Sequence, residues 1–234
     1  MMTHNYVITG TSRGIGLEIT KQVLKLGHMV YALSRSPKNS AELLELKEKN
    51  PDKLLLFSVD VNSEEQVSSF VKDLGNLDSQ SPIDVLINNA GIFGKDGHFE
   101  KLSFEELTKT LITNALGPMR MTKALLPHLK KAKAPKVIHI TSLMGSIAQN
   151  EIGGFYGYRM SKTALNMFHK SFSIDFPAII SLALHPGWVK TDMGGVEAPT
   201  TVTESVRGLL SVIEKATLKE SGKFLDFEGK DVPW

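Results

Sequence analysis

The stretch Thr9-Gly10-Thr11-Ser12-Arg13-Gly14-Ile15-Gly16 follows a short apolar run and precedes an amphipathic one. A glycine-rich turn between a strand and a helix can bring backbone N–H groups against a pyrophosphate. Here Gly10 suits the tight turn, Gly14 the close approach of the phosphates, and Gly16 the packing of helix against strand. Such a turn is weak evidence alone, but at the start of a regular pattern it predicts a nucleotide site.

The rest of the chain repeats this alternation of short apolar runs and helical patterns. Ile, Val and Leu dominate the runs, as expected for strands that helices cover on both faces. The pattern predicts a single α/β domain over residues 1–234, with a doubly wound parallel sheet of about seven strands and helices on both faces. We place strands at 6–9, 29–33, 54–61, 85–88, 136–141, 178–184 and 223–227, and helices at about 15–26, 39–49, 63–74, 103–130, 156–175 and 201–216.

Composition argues against several classes of function. The 234 residues include no cysteine, so disulfides, thiolate zinc sites and cysteine nucleophiles are excluded. The net charge of +2 is spread along the chain, which gives no basic footprint for nucleic acid or anionic membranes. No apolar run reaches the length of a membrane span, and the first residues lack the pattern of an export signal. We therefore expect a cytoplasmic protein whose partner is a small molecule. The seven histidines form no H-E-x-x-H motif or close cluster, so no metal site is predicted.

The unusual residues of the chain gather where the predicted strands end. The carboxyl ends of parallel strands share one edge of the sheet, and ligands of such sheets bind there. We therefore expect these residues to form one site. They are Thr9-Gly10, Ser34-Arg35, Asp60-Val61, Asn88-Asn89-Ala90-Gly91, Thr141-Ser142 and His185-Pro186-Gly187.

Tyr158 and Lys162 form a candidate catalytic pair. They are four residues apart on a predicted helix, so their side chains emerge on one face. A phenol with a pKa of about 10 is a poor proton-transfer group at neutral pH until nearby positive charge favours its phenolate. Lys162 would supply that charge. Tyr156 is the competing tyrosine, but Met160 stands four residues after it and carries no charge.

The glycine turn, T-G-x-x-x-G-I-G, resembles that of the short-chain dehydrogenase/reductase family, and the resemblance covers the whole chain. It implies a Rossmann-like domain and an oxidoreductase that moves hydride between a nicotinamide cofactor and a carbonyl or alcohol. The further matching residues are Asn88-Asn89-Ala90-Gly91, Asn114, Ser142, Tyr158-Arg159-Met160-Ser161-Lys162 and Pro186-Gly187-Trp188-Val189-Lys190-Thr191. Within the family, the segments that begin at Tyr158 and Pro186, with the closing Pro233-Trp234, resemble the C-factor and Sniffer-type carbonyl reductase branch.

The resemblance also implies roles for two residues beside Tyr158 and Lys162. Ser142 would hydrogen-bond the substrate carbonyl and orient it. Because Ser142 lies further before Tyr158 than is common in the family, Ser146 remains an alternative. Asn114 would break the regularity of its helix, hold a water and extend a proton relay to Lys162.

The cofactor is predicted to be NADP(H), with NAD(H) as the alternative. NAD enzymes usually place a carboxylate at the end of the second strand, and the segment from Leu33 to Lys38 contains none. Arg35 and Arg13 could instead clamp a 2′-phosphate. The resemblance implies that the remaining cofactor contacts come from Gly10, Ser12, Gly14, Ile15, Gly16, Asp60, Val61, Asn88, Ala90, Gly91, Tyr158, Lys162, Pro186, Gly187, Val189 and Thr191.

The substrate wall is predicted in residues 93–98, 143–153 and 188–203. Apolar side chains in and beside these loops favour a small aldehyde, ketone or quinone as the substrate. Two alternatives remain: a C-factor-like signalling or sensor protein that binds nucleotide, and an NAD(H)-dependent alcohol dehydrogenase. We also expect a homodimer or homotetramer through the long fourth and fifth helices, because these helices carry apolar residues that the sheet cannot all cover. Examples are Leu107, Leu111, Leu125, Leu165 and Phe168.

Overall fold

The computed structural model describes residues 3–77, 82–95 and 99–234, and within these ranges it contains one seven-stranded sheet. The strands are β1 (Asn5–Thr9), β2 (Met29–Ser34), β3 (Leu54–Ser58), β4 (Val85–Asn88), β5 (Lys136–Ile140), β6 (Ile180–His185) and β7 (Lys223–Asp226). The α-helices are α1 (Gly14–Lys25), α2 (Ala41–Lys49), α3 (Glu64–Leu77), α4 (Phe104–Leu111), α5 (Gly117–Leu129), α6 (Tyr156–Asp175) and α7 (Val202–Lys215).

The sheet order is β3-β2-β1-β4-β5-β6-β7. The chain starts in the middle of the sheet and builds one half with β2 and β3, and it then returns to build the other half with β4 to β7. Strand β1 pairs in parallel with β2 on one side and with β4 on the other, so that Ile8 lies between Ala32 and Ile87. In such a sheet a crevice opens where the winding reverses, beyond the carboxyl ends of the central strands. The predicted fold class is confirmed, and the crevice lies at the ends of β1 and β4.

Helices cover both faces of the sheet, and each face has its own apolar core. Alternate residues of a strand point to opposite faces, so Ile8 and Ile138 pack with α1 and α7 residues, among them Leu209. Val7 and Val137 belong to the other core, which α3, α5 and α6 close. Burial on both faces explains why the strands are almost continuously apolar.

The long helix predicted over 103–130 is three consecutive elements. Helix α4 ends at Leu111, a π-helical turn covers Ile112–Leu116, and α5 starts at Gly117. A Cβ on Gly117 would lie 2.9 Å from Val61 Cγ2, so the chain needs glycine where the two segments join. The break around Asn114 agrees with the irregularity that the family resemblance implied.

The apolar residues from which we predicted an oligomer are mostly used inside the chain. Leu107, Leu125 and Leu165 are buried, and Leu111 and Phe168 are half-buried. Three of the five therefore offer no apolar surface to a partner subunit. The same helices do present other apolar side chains to solvent, namely Leu116, Met119, Met160, Met167 and Ile174.

Across the described ranges, none of the helices combines the length and apolar character that crossing a membrane requires.

Candidate active site

The glycine turn is locked to the neighbouring strand ends by hydrogen bonds. The Gly10 N–H donates to Leu33 O at 2.8 Å, which ties the turn to β2. On the other side Asn89 Nδ2 donates to Thr9 O at 2.9 Å and to Gly10 O at 3.1 Å. Thr9 Oγ1 in turn accepts from the N–H groups of Asn89 and Ala90, each at 3.0 Å. The turn after β1 and the turn after β4 therefore form one rigid unit at the crevice.

The start of α1 suits an anion. Gly14 has a φ of +56°, which favours glycine, and a Cβ on Gly16 would overlap the Gly10 carbonyl oxygen. Within the described part of the chain, no side chain caps α1, and its first turn contains no acidic residue. Free backbone N–H groups at the positive end of a helix bind phosphate well. These residues therefore fit the pyrophosphate of a dinucleotide.

Helix α6 and strand β5 bring the predicted catalytic residues together. Tyr158 and Lys162 lie one turn apart on α6, and Lys162 Nζ is 5.7 Å from the centre of the Tyr158 ring. A hydrogen bond joins the Tyr158 hydroxyl to the side chain of Ser142, which follows β5. Lys162 Nζ donates to Ile140 O at 2.8 Å. Both Tyr158 and Lys162 are buried.

Burial shifts the two ionisable groups in opposite directions. It raises the pKa of Tyr158 to about 12, against the lowering effect of the Ser142 hydrogen bond. It lowers the pKa of Lys162 to about 8. The prediction that the tyrosine pKa is lowered includes the cationic ring of oxidised nicotinamide beside Lys162. In the chain by itself desolvation dominates, so the pKa of Tyr158 is raised. At neutral pH the pair consists of a neutral phenol and an ammonium group.

Asn114 connects the π-helical turn to α6, the helix that carries Tyr158 and Lys162. Its Oδ1 accepts from Ile92 N, and its Nδ2 donates to Ile92 O, both at 2.8 Å. Asn114 Nδ2 also donates to Ser161 Oγ at 2.9 Å, and Ser161 Oγ donates to Tyr158 O at 2.7 Å. Gly91 lies beside this network, since a Cβ there would be 3.2 Å from Asn114 Oδ1 and 3.7 Å from Lys162 Nζ.

The structural role of Ser161 was missed by sequence reasoning. The only available signal was its position between Tyr158 and Lys162, and that position does not indicate a bond to a residue 47 positions away.

The competing residues have other contacts. The Tyr156 ring is half-buried and packs edge-on against Phe99, with 5.4 Å between ring centres. Ser146 Oγ is buried and accepts from Gln149 N at 3.2 Å within its own loop. The geometry therefore favours Tyr158 and Ser142 over these alternatives. A 3-10 turn at Leu143–Gly145 absorbs part of the extra length after Ser142.

The residues predicted to border the cofactor lie around the crevice, but the side chain of Asn88 does not face it. Asn88 is buried, and its Nδ2 contacts Thr122 Oγ1 at 3.1 Å and His139 Nδ1 at 3.3 Å. Its side chain thus points into the core, so that only its backbone remains for a ligand. Thr191 lies close to the glycine turn, since a Cβ on Gly14 would be 3.6 Å from its Cγ2. Ile15 lies in the first turn of α1. The others stand in the loops after their strands: Ser12, Asp60, Val61, Ala90, Pro186, Gly187 and Val189.

The two arginines of the predicted phosphate clamp differ in their surroundings. Arg35 follows β2 and is exposed. Arg13 Nη1 lies 2.9 Å from Asp192 Oδ2, and both side chains are 76% exposed. An ion pair so open to water is weak, so Arg13 can exchange Asp192 for a phosphate at little cost.

Aromatic side chains in and beside the predicted substrate wall form a cluster with Tyr158. The Phe93 ring centre is 4.7 Å from that of Tyr158 and 5.2 Å from that of Phe155. Trp188 Nε1 donates to Gly194 O at 2.7 Å and shapes the loop after β6. Of the predicted wall, residues 96–98 lie outside the described residues. Further apolar side chains around the cleft are exposed, namely Leu143, Ile147, Ile152, Met193 and Val196.

No group of three or more metal-ligating side chains occurs among residues 3–77, 82–95 and 99–234.

Comparisons with known proteins agree with this geometry. The family model described as "short chain dehydrogenase" matches residues 4–201. The C-signal protein of Myxococcus xanthus is 47% identical over 155 residues, which are 65% of this chain and 93% of that protein. The solved structure of the carbonyl reductase Sniffer of D. melanogaster is 34% identical, with a TM-score of 0.95 and 100% of each chain covered. The NADPH-bound carbonyl reductase from chicken fatty liver is also 34% identical, with a TM-score of 0.94 and 100% of both chains covered.

The close packing of the glycine turn predicts opposite effects for two Gly→Ala substitutions. Gly10 has a φ of +72°, and a Cβ there would lie 2.9 Å from Ala90 Cα. Gly10→Ala should therefore lower the free energy of unfolding by about 1–3 kcal/mol. Gly75 lies in α3 with no atom within 4 Å of an added Cβ. The control Gly75→Ala should raise the free energy of unfolding by about 0.5–1 kcal/mol. Urea unfolding measures both, and equal effects would contradict the packing described.

Proposed function

Because the chain belongs to the short-chain dehydrogenase/reductase family, in the C-factor and Sniffer-type branch, we propose that it is an NADP(H)-dependent carbonyl reductase. Its substrate would be a small aldehyde, ketone or quinone, or the corresponding alcohol in the reverse direction. One observation carries the proposal: a buried tyrosine hydroxyl is hydrogen-bonded to Ser142, with the Lys162 ammonium held beside the tyrosine ring. A domain that only binds nucleotide has no use for this arrangement.

NADP(H), when bound, supplies the hydride. Backbone N–H groups of the glycine turn and of the first turn of α1 would hold its pyrophosphate, and Arg35 with Arg13 its 2′-phosphate. The similarity to the NADPH-bound chicken enzyme supports this choice. The absence of a carboxylate between Ser34 and Lys38 disfavours NAD(H).

The side chains of this site can protonate the carbonyl oxygen. Ser142 and Tyr158 would both hydrogen-bond that oxygen and fix its orientation. As negative charge develops on it, the O–H bond of Tyr158 breaks, an O–H bond of the alcohol forms, and a phenolate remains. Lys162, charged at neutral pH, stabilises the phenolate electrostatically. Asn114 and Ser161 keep the catalytic helix in register with the loop after β4.

A signalling role is the second candidate. The 47% identity to the C-signal protein of Myxococcus xanthus favours it. Nucleotide occupancy alone would suffice for such a role, whereas turnover needs Tyr158 and Lys162. The two functions are therefore separable by substitutions at these residues.

The central prediction is that Tyr158→Phe loses activity but still binds NADPH, because only the proton donor is removed. General acid catalysis contributes about 10²–10⁴-fold, so kcat with NADPH and an aromatic aldehyde should fall by at least that factor. Lys162→Ala should be as damaging, and the double variant no worse than either, since both disable one proton-transfer unit. Tyr156→Phe is the matched control and should stay active. Near-normal turnover by Tyr158→Phe would exclude the mechanism and favour the signalling role.

Arg35→Ala tests the choice of cofactor. The substitution should raise the KM for NADPH by about tenfold or more, since a charge-assisted hydrogen bond contributes roughly 1.5–3 kcal/mol. The KM for NADH should barely change, because NADH carries no 2′-phosphate. Steady-state kinetics with each cofactor separate the two. A wild-type protein that binds NADH as tightly as NADPH would contradict the assignment.

We also propose a cytoplasmic homodimer or homotetramer. The exposed residues Met160, Met167 and Ile174 recur every seventh position on α6 and form an apolar stripe suited to a two-fold interface. Light scattering should give a mass of at least twice 25.7 kDa, and Met167→Glu with Ile174→Glu should reduce it to the single-chain value. Leu218→Glu, on an exposed residue of the turn before β7, is the control. A wild-type mass near 25.7 kDa at micromolar concentration would reject the oligomer.

A further inference from the structure

The loop that follows Ser142 donates a hydrogen bond to a distant part of the chain. The Ala148 N–H donates to the backbone oxygen of Trp234 at 2.9 Å. Ala148 lies in the middle of the segment that joins β5 to α6, next to Ile147 on the predicted substrate wall. Trp234 belongs to the Pro233-Trp234 pair, to which neither the fold nor the reaction assigns a role.

Trp234 is held in place by contacts with two elements. Its ring centre lies 5.5 Å from that of Phe224 in β7 and 6.1 Å from that of His169 in α6. His169 is buried, with its Nδ1 2.8 Å from Ser181 Oγ on β6. The indole therefore rests on side chains that are fixed to the body of the domain.

The backbone before Trp234 is equally well fixed. Asp226 N donates to Lys230 O at 2.9 Å, and Val232 N donates to Phe224 O at 2.8 Å. An antiparallel bridge pairs Leu225 with Asp231. The chain thus turns back after β7 and runs along its outer edge as far as the loop. We call residues 230–234 the strap.

The beginning of the loop is clamped separately, against α6. Gly145 O accepts from Thr163 Oγ1 at 3.0 Å and from Asn166 Nδ2 at 3.2 Å. A Cβ on Gly145 would lie 2.8 Å from Lys162 Cβ, so the loop sits directly on the catalytic helix there. This clamp positions Ser142 independently of the strap.

Beyond that clamp the loop has mainly local bonds. Asn150 N donates to Ile147 O at 3.2 Å, and Gly153 N donates to Asn150 Oδ1 at 3.1 Å. Ile147 and Ile152 are 74% and 82% exposed. The other described hydrogen bonds of residues 147–152 connect neighbouring positions within the loop. The bond from Ala148 to Trp234 ties the segment to the body of the domain.

We propose that Trp234 is a positioning residue for the substrate side of the active site. Its backbone oxygen, fixed by the packing of its ring, holds residues 147–152 in place as the wall against which a carbonyl substrate with a large apolar group is bound. The inference rests on the proposed reductase function. Because the clamp at Gly145 keeps Ser142 in place, loss of the strap contact affects substrate binding more than the chemical step.

Kinetics of Trp234→Ala give the first test. The KM for a bulky apolar ketone should rise about tenfold while kcat changes by less than about threefold, because misplacement of a positioning wall weakens productive binding. The KM for a small aldehyde and the affinity for NADPH should stay near the wild-type values. Trp234→Phe, which keeps a ring against Phe224 and His169, should largely restore the KM. Leu218→Ala, at another exposed apolar residue, is the control.

Hydrogen exchange gives a test that does not depend on turnover. Backbone amides of residues 146–152 should exchange about tenfold faster in Trp234→Ala, while those of β7 and α6 stay protected. Ala148→Pro removes the donor and leaves the indole in place. Proline is favoured at this second position of the turn from Ile147 to Asn150, so this variant should fold and show the same faster exchange at 149–152.

The outcomes separate the inference from the proposed function. Unchanged exchange at 146–152 in Trp234→Ala and at 149–152 in Ala148→Pro overturns the tether, whatever the activity. Faster exchange with an unchanged KM overturns the role in substrate binding. If the variants exchange faster but the wild-type protein reduces no carbonyl, the tether is supported and the reductase function is rejected. Faster exchange together with the selective rise in KM supports the proposal.

Discussion

The Lys162 ammonium donates to the Ile140 carbonyl oxygen at 2.8 Å inside a buried site, and the candidate active site is arranged around this contact. A buried cation is costly unless it is hydrogen-bonded. The end of β5 supplies the acceptor, and α6 must dock where the side chain can reach it. That docking places Tyr158 one helical turn away, beside Ser142. It also explains one small residue, since a Cβ on Gly145 would lie only 2.8 Å from Lys162 Cβ.

The second constraint is the reversal of winding between β1 and β4. The Asn89 side chain bonds the carbonyl groups of Thr9 and Gly10, while Thr9 Oγ1 accepts from two amides of the facing turn. This reciprocal lock presents the N-terminus of α1 to the crevice in a fixed direction. The glycine turn and the Tyr158–Lys162 pair therefore lie at one edge of the sheet, although well over a hundred residues separate them.

Features encoded by local sequence could be predicted. The glycine turn follows from backbone geometry over eight residues, and the pairing of Tyr158 with Lys162 follows from helical spacing. The doubly wound parallel sheet followed from the alternation of elements and the preference for right-handed crossovers. Ser142 needed the family resemblance, because its distance from Tyr158 along the chain says little about how the intervening loop folds.

Features that depend on long-range contacts were missed or wrong. The ion pair of Arg13 with Asp192 spans 179 positions, and the bond from Ala148 to Trp234 depends on where the chain turns after β7. Which apolar residues of α5 and α6 stay exposed could not be predicted, because helical periodicity does not show how much of a helix its neighbours cover. The raised pKa of Tyr158 results from burial, which a sequence pattern cannot measure.

In the proposed reaction, proton donation by Tyr158 requires the buried charge of Lys162, and the pH dependence of kcat/KM for carbonyl reduction measures that requirement. The pKa of Lys162 is lowered to about 8 and that of Tyr158 is raised to about 12, so the active form carries both protons. The profile should be flat from pH 6 to about 8 and then fall by about tenfold per pH unit as Lys162 loses its proton. A profile that stays flat to pH 10 would show that the charge of Lys162 is not needed and would contradict the account.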